Sequence, residues 1–224
     1  MNKIIDKINF SSNLHKIRLG LHLGAYLEDY NICYYPAVYL ASGLDLEFPL
    51  VLRARRIIMI DPIFQDENNI NKILEKIMKY DQRMPELKKI NSFHHNITFN
   101  FDFGFGPEKV VVDLFAKTYQ EFEYLSPIGY IIEFNNQLDH GLYKSELLEK
   151  LILNGVIIDN QESPLRHKSL SITDILFPND DLDDIERRKA AGLGLKTLRF
   201  SQVPFAIYQK IRNTSKLLHF SYHE

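Results

Sequence analysis

Two short apolar segments, separated by one tight turn and one helix, constrain the fold of this chain more than any other feature. Residues 32–40, Ile-Cys-Tyr-Tyr-Pro-Ala-Val-Tyr-Leu, suit a buried strand, which Pro36 could shorten to residues 37–40. Residues 55–62 read Arg-Arg-Ile-Ile-Met-Ile-Asp-Pro and suit a second buried strand. Residues 46–54 are predicted to form a short helix with Pro49 in its first turn. Strand, helix and strand in this order form a βαβ unit, which requires parallel strands and a right-handed crossover. The sequence therefore predicts an α/β protein.

Further helices and strands alternate along the rest of the chain. Apolar periodicity and end signals predict helices over 11–30, 66–80, 142–155 and 180–195. Short strands are predicted over 129–135, 156–160, 196–201 and 204–212. Gly155 is interpreted as the residue that ends the helix over 142–155. Only two or three residues separate the last two strands, which forces them to be antiparallel. Two polar segments, 81–96 and 161–180, are predicted to be irregular.

A period-two pattern of aromatic residues predicts a β-hairpin in the middle of the chain. Isoleucine and phenylalanine alternate with polar residues over 97–103, so the apolar side chains would share one face of a strand. A turn with two glycines and a proline follows at 104–107. We expect this hairpin to be an insertion near 97–118 in an α/β domain over 31–224, with a helical extension over 1–30.

Composition argues against several classes of protein. The 224 residues are 45% hydrophobic and 25% charged, as in an ordinary folded domain rather than a disordered chain. The net charge is −2, so no excess positive charge is present to attract nucleic acid. Cys33 is the only cysteine, which excludes an internal disulfide and a multi-cysteine metal site. No apolar run reaches the length of a membrane span and no secretory signal is evident, so we expect a cytoplasmic protein.

No grouping of metal-binding side chains has a standard spacing. The adjacent residues His94 and His95 would point to opposite sides of a strand. Their distance along the chain from Asp139 and His140 fits no known metal site. The aspartates over 180–184 lack the glycine and glutamate of a calcium loop, and they are interpreted as the start of a helix. We therefore predict no metal site.

The turn after the first strand is the main candidate for a ligand site. In open α/β sheets, ligands bind beyond the carboxyl ends of the strands, where the strand order reverses. Ala41, Ser42 and Gly43 are small enough to let a ligand approach the backbone. Asp61 lies 18 positions after Gly43, where an acidic residue commonly accepts hydrogen bonds from ribose hydroxyls. Alternatively, the turn is an ordinary loop that needs one glycine, and Asp61 caps a nearby amide. The order of the two features favours the ligand site.

The sequence AVYLASGLDLEFPLVLRARRIIMIDP, over 37–62, resembles the first two motifs of the class I S-adenosylmethionine-dependent methyltransferase fold. The later sequences GYIIEFN and LYKSELLEKLILNGVIID resemble the fourth strand of that family, the helix that follows it and the fifth strand. The final antiparallel pair resembles the last two strands of the family. The resemblance covers residues 32–211. It implies a Rossmann-like methyltransferase sheet that is mostly parallel with an antiparallel C-terminal strand pair.

The resemblance also assigns residues that would bind S-adenosylmethionine. The small-residue loop would lie against the methionine part, the acidic residue at the end of the second strand would hold the ribose hydroxyls, and Ile63 would help to flank the adenine. The cofactor-binding residues assigned in this way are Ala41, Ser42, Gly43, Asp45, Asp61 and Pro62. Two positions depart from the family pattern. Ala41 replaces a glycine, and the acidic residue that often precedes the loop is absent near Val38 and Tyr39.

The activity implied by the resemblance is methyl transfer to a small molecule or a protein, because the near-neutral charge argues against a nucleic-acid acceptor. Glu133 and Asn135, at the end of the strand predicted over 129–135, are the candidate catalytic residues. Two alternatives stay open. The departures in the loop are consistent with a non-catalytic member of the fold that serves as an interaction protein. The βαβ unit with Asp61 is consistent with an NAD-dependent oxidoreductase.

Overall fold

A computed structural model describes the greater part of the chain. The described residues are 23–24, 26–81, 83–124, 127–133, 143–159, 169–176 and 205–211. Within them, nine strands form one sheet. The strands are β1 (Ala37–Leu40), β2 (Arg56–Ile60), β3 (Glu86–Asn91), β4 (His94–Asp102), β5 (Pro107–Phe115), β6 (Ile128–Glu133), β7 (Leu151–Asp159), β8 (Leu170–Leu176) and β9 (Phe205–Lys210). The α-helices are α1 (Glu47–Val51), α2 (Glu67–Tyr80) and α3 (Tyr143–Lys150). Short 3-10 helices lie at Ile32–Tyr34, Pro62–Gln65 and Tyr119–Glu121.

The centre of the sheet is parallel and its two sides are antiparallel. The strand order is β3-β4-β5-β2-β1-β6-β7-β9-β8. The five strands from β5 to β7 run parallel to one another. On one side, β4 pairs antiparallel with β5 and β3 with β4; on the other, β9 lies antiparallel between β7 and β8. The prediction of an α/β sheet with a parallel centre and antiparallel strands at its C-terminal end is therefore confirmed, although β9 pairs with β8, and the strand predicted over 196–201 as its partner lies outside the described residues.

Alternate residues of the central strands pack into two separate cores, one on each face of the sheet. β1 is buried along its whole length, as is typical of a parallel strand covered on both faces. Helices α1 and α2 pack on the first face together with Leu23 and Leu27, which lie before β1. Helix α3 and Tyr124, which lies in the connection before β6, pack on the second face. The first face is therefore covered by more helices than the second, and the turn after β1 lies at the edge of this first face.

Helix α2 forms over the predicted residues and for the predicted reason. The Asp66 carboxylate accepts a hydrogen bond from the amide two residues later at 2.9 Å, which caps the helix. Ile70, Ile73 and Ile77 follow at helical spacing and are buried against the sheet. Burial of each isoleucine stabilises the fold by about 1.5–3 kcal/mol. The helix is thereby fixed in place, and its last turn lies beneath the turn that follows β1.

The segment over 81–96 was predicted to be irregular, and this prediction is wrong. It contains β3 and the start of β4. Every residue of β3 is exposed, so its apolar side chains Leu87 and Ile90 do not alternate with buried positions. The strand exists because it pairs with β4, and Lys88 and Lys89 give it the charge that is common on unpaired sheet edges. The hairpin predicted from the aromatic alternation is present as β4 and β5, and β5 also pairs with β2 as the outermost strand of the parallel centre.

The helix predicted over 142–155 ends five residues early. Helix α3 stops at Lys150, and β7 begins with Leu151. Gly155 therefore does not end a helix. An added Cβ at Gly155 would lie 2.8 Å from the carbonyl oxygen of Gly129 on the neighbouring strand, so the position needs glycine for space. The residue with left-handed backbone at this corner is Asn154, with φ of 65°.

The prediction that residues 161–180 are irregular is also wrong, because this segment contains β8. The register of β8 against β9 shifts between Ile172 and Asp174, which breaks the alternation that would have predicted a strand. Strand β9 lies within the strand predicted over 204–212. The helix predicted over 180–195 and the strand over 196–201 lie outside the described residues, and the division of the chain at residue 30 stays a prediction.

No helix in the described part of the chain combines the length and the apolar character needed to cross a membrane.

Candidate ligand site at the carboxyl ends of β1 and β2

The turn after β1 has a tight, left-handed backbone. Ala41 has φ of 47° and Gly43 has φ of 55°, so two of its residues occupy the region that glycine tolerates best. The carbonyl of Ser42 accepts a hydrogen bond from the amide of Asp45 at 3.2 Å and closes the turn. For a residue with a Cβ, left-handed backbone costs about 1–2 kcal/mol. Ala41 adopts it nevertheless, so this turn keeps the shape of a glycine turn although one glycine is replaced.

Asp61 joins the end of β2 to this turn. Its Oδ2 accepts a hydrogen bond from the amide of Gly43 at 2.8 Å, and its Oδ1 accepts one from the amide of Ile63 at 3.0 Å. The amide of Asp61 donates to the carbonyl of Phe115 on β5 at 3.0 Å, which fixes the backbone. Each carboxylate oxygen has two acceptor positions, so a bound molecule can use the second one on each. The structure thus brings together the two predicted features, Gly43 and Asp61.

Asp45 has a structural partner that sequence reasoning missed. Its Oδ2 accepts a hydrogen bond from the Tyr39 hydroxyl at 2.9 Å, and its Oδ1 accepts one from the amide of Phe48 at 3.2 Å. The second contact caps the start of α1. Burial, with the nearby Asp45 carboxylate, raises the pKa of the Tyr39 hydroxyl well above its usual value. Asp45 therefore joins the turn to the first turn of α1 through the Phe48 amide, and the Tyr39 hydroxyl holds the Asp45 side chain at the end of β1.

Helix α2 supports the turn from the first face of the sheet. The Lys76 ammonium donates to the carbonyl of Leu44 at 2.7 Å and to the Glu47 carboxylate at 2.9 Å. The Tyr80 hydroxyl donates to the other oxygen of Glu47 at 3.2 Å. The spacing of four between Lys76 and Tyr80 places both on one face of the helix. No sequence motif indicated these contacts, although that spacing could have suggested a shared partner.

The strand order places this turn at a reversal. From β1, the chain passes to β2 and β5 on one side and to β6 and β7 on the other. Ligands of open α/β sheets bind at such a point. Strand β9 lies antiparallel between β7 and β8, so antiparallel strands close this side of the sheet. The sheet is a mostly parallel α/β sheet, the architecture that the resemblance in the sequence predicts.

Solved structures similar to this chain include three bacterial proteins. A candidate methylase from Haemophilus influenzae has a TM-score of 0.49 and 11% identity, covering 88% of this chain and 99% of its own. A candidate O-methyltransferase from Klebsiella pneumoniae has a TM-score of 0.48 and 9% identity, covering 93% and 88%. An N-methyltransferase from Bradyrhizobium japonicum has a TM-score of 0.47 and 7% identity, covering 88% and 97%. No protein-family model and no curated protein matches the sequence.

The other predicted site residues that the structure describes lie around the same edge of the sheet. Pro62 begins the 3-10 helix that follows Asp61, and Ile63 is 37% exposed beside it. Glu133 ends β6 opposite Leu40, one strand from the turn, and only 1% of it is exposed. The second catalytic candidate, Asn135, lies outside the described residues.

We expect two tyrosine substitutions in this sheet to have opposite effects on stability. The Tyr39→Phe variant loses a hydrogen bond to a carboxylate and should be destabilised by about 1.5–3 kcal/mol at pH 7. The Tyr130 hydroxyl is buried and has no hydrogen-bond partner among the described residues. The Tyr130→Phe variant should therefore be at least as stable as the unsubstituted chain. Urea unfolding of both variants measures the difference, and equal losses would contradict the assignment of the Tyr39 contact.

The same pair has a pH dependence with a defined sign. Burial raises the pKa of the Tyr39 and Tyr130 hydroxyls above the unfolded value. A raised pKa gives stability that is present below about pH 10 and is lost as the pH rises above it. Each tyrosine should contribute a loss that rises toward about 1.4 kcal/mol per pH unit as the unfolded-state hydroxyl ionises. Stability of Tyr130→Phe should therefore fall by about 1 kcal/mol less between pH 10 and 11, and an unchanged slope would contradict the burial of this hydroxyl.

Proposed function

We propose that this protein is an S-adenosylmethionine-dependent methyltransferase that acts on a small molecule or a protein. The observation that carries the proposal is the hydrogen bond between the Gly43 amide and the Asp61 carboxylate. It places an acidic side chain at the mouth of a left-handed turn, at the carboxyl ends of two adjacent parallel strands. This combination suits a nucleoside, because a carboxylate can accept hydrogen bonds from its diol and a small turn lets the rest of the molecule approach the backbone.

Open space and free acceptor positions at the turn support binding of the cofactor there. A Cβ added to Gly43 would meet no atom within 4 Å, so open space lies directly against this turn. In the proposed site, Asp61 would accept hydrogen bonds from the ribose hydroxyls with its free acceptor positions. The backbone of Ala41 and Ser42 would hold the methionine part, and Pro62 with the exposed Ile63 would flank the adenine. The cofactor supplies an electrophilic methyl group when it is bound.

The protein's own part in the reaction is to position the methyl donor and the acceptor and to keep water away from them. Transfer of a methyl group depends mainly on holding donor and acceptor in line, and some acceptors also need a base. Glu133 lies one strand from β1 at the same edge, where its carboxylate could take a proton from an acceptor. Asn135, two residues later in the chain, is the second candidate. The net charge of −2 favours a small-molecule or protein acceptor over a nucleic acid.

Calorimetric titration with three ligands tests the proposal. S-adenosylmethionine and its product S-adenosylhomocysteine should bind with dissociation constants in the micromolar range, and NAD should not bind. Tight binding of NAD alone would instead support the oxidoreductase alternative. Absence of binding by all three would reject both enzymatic functions and leave the non-catalytic interaction protein. Binding of the cofactor with no methyl transfer to any tested acceptor would reject the enzymatic part alone.

A further inference from the structure

A cavity lies on the second face of the sheet, below the edge that carries the candidate cofactor site. Its volume is about 360 Å³. Its floor is apolar and consists of buried side chains of β1, β2 and β6, namely Val38, Ile58 and Ile128. The cavity exists because the connection from β5 to β6 contains only a three-residue 3-10 helix among its described residues, too little to cover this face. A volume of this size is within the range of small-molecule sites, which is roughly 300–1,000 Å³.

Aromatic rings form one wall of the cavity. His94 stacks on Phe115 with ring centroids 4.1 Å apart and an angle of 20° between the planes. Phe122 meets Phe115 edge to face at 4.7 Å and meets Tyr124 edge to face at 4.9 Å. All four residues line the cavity. A wall of adjoining rings favours a flat, aromatic ligand, because rings pack against one another in stacked or edge-to-face geometry.

A buried carboxylate fixes the one histidine of the cavity. Oδ1 of Asp113 lies 2.9 Å from Nε2 of His94 and also accepts a hydrogen bond from the Asn96 side chain at 2.8 Å. Asp113 is only 7% exposed, so its charge is held by these contacts and by Arg56, whose Nε is 3.9 Å from Oδ2. With a carboxylate facing Nε2, the neutral imidazole carries its proton there. The other nitrogen, Nδ1, is then a hydrogen-bond acceptor.

The remaining polar groups restrict the charge of a ligand. Among the described residues, the hydrogen bond of the His94 ring uses Nε2 and leaves Nδ1 without a protein partner. The Glu121 carboxylate is engaged by Thr118 at 2.9–3.0 Å. Two cations, Arg56 and Lys117, face three carboxylates around the cavity, those of Asp113, Glu121 and Glu123. The lining therefore has no surplus of positive charge, which disfavours an anionic ligand. A neutral ring that offers a hydrogen-bond donor matches both the acceptor and the charge.

We propose that this cavity binds a neutral hydroxylated aromatic compound, a phenol of one or two rings, whose hydroxyl donates to Nδ1 of His94. The aromatic wall provides the packing surface, and the Asp113 carboxylate selects the histidine tautomer that can accept the hydrogen bond. The proposal concerns a second site, and it does not depend on the methyltransferase function. Binding is therefore measured without any cofactor, so that failure at one site is distinguishable from failure at the other.

Calorimetry and ligand-observed nuclear magnetic resonance with 4-methylphenol test this site. Its methyl ether, 4-methylanisole, is the matched control, because it has the same ring but no donor. We expect 4-methylphenol to bind at least tenfold more tightly than the ether, and benzoate not to bind. Equal affinity for the phenol and the ether would overturn the proposal, and so would absence of phenol binding up to its solubility limit.

Substitution of the histidine locates the binding. The His94→Phe variant keeps a ring against Phe115 but lacks the acceptor, so the phenol should bind it no better than the ether does. Unchanged phenol binding would place the site elsewhere and overturn the proposal. A second measurement uses the unsubstituted protein, so it does not depend on whether a variant folds. In the unsubstituted protein, the ¹⁵N resonance of His94 Nδ1 should shift when 4-methylphenol is added and stay in place with the ether, and no shift with either would also overturn it.

Discussion

Replacement of Asp61 by alanine should weaken binding of S-adenosylhomocysteine about 100-fold or more. The carboxylate is proposed to accept hydrogen bonds from both ribose hydroxyls, and each such bond to a charged group is worth about 1.5–3 kcal/mol. Loss of two therefore exceeds the 2.8 kcal/mol or so that corresponds to 100-fold in affinity. The substitution also releases the amides of Gly43 and Ile63, which loosens the turn. Calorimetric titration of the variant with the product measures the loss.

A second capping aspartate provides the control for this experiment. Asp66 lies five residues later and caps α2 through a hydrogen bond to the amide of Asn68 at 2.9 Å. The Asp66→Ala variant should lose about 1 kcal/mol of stability, as Asp61→Ala should from its own capping contact, without a change in affinity. If both variants bound S-adenosylhomocysteine equally well, Asp61 would be only a capping residue and the proposed ribose contact would be wrong. Urea unfolding measures both stability losses, and Asp61→Ala should lose more than Asp66→Ala because its carboxylate also accepts a hydrogen bond from the Gly43 amide.

The core of the fold could be predicted because its signals are local. β1, β2 and α2 combine apolar runs or helical periodicity with clear end residues, and each forms close to where it was predicted. β3 could not be predicted in this way, because an edge strand exposed on both faces has no alternation, and it forms through its pairing with β4. β8 lost its alternation through a register shift. Elements that depend on a neighbour distant in sequence leave weak local signals.

The central residues of the candidate site could be predicted from the sequence, but the side chains that support the turn could not. A small-residue turn and a strand-end carboxylate have a fixed order in βαβ units, so Gly43 and Asp61 could be paired from sequence. The contacts of Lys76 and Tyr80 with the turn join residues more than 30 positions apart, and only the packing of α2 on the sheet brings them there. The dyad of His94 and Asp113 likewise depends on the register of β4 against β5. No spacing rule along the chain would have revealed it.

The second large effect is expected at Gly155, which lies within β7 and not at the end of a helix. The Gly155→Ala variant should lose about 3 kcal/mol of stability, because the added methyl group overpacks a closed corner of the sheet. Its Cβ would lie 2.8 Å from the carbonyl oxygen of Gly129 and 2.9 Å from that of Ile152, and backbone cannot move aside as a side chain can. The backbone of Gly155 is not left-handed, so conformational strain does not enter. Urea unfolding gives the loss directly.

The neighbouring residue separates lack of space from an effect of the turn. Asn154 has the left-handed backbone at this corner, with φ of 65°, so Asn154→Gly relieves strain while it removes one side-chain contact to Gln209 at 3.3 Å. The stability of Asn154→Gly should therefore stay within about 1 kcal/mol of the unsubstituted chain. A role of Gly155 in ending a helix would predict a loss of only about 1 kcal/mol for Gly155→Ala as well. A loss about three times larger at Gly155 than at Asn154 thus distinguishes close contact between β6 and β7 from a helix end, and similar losses would refute the close contact.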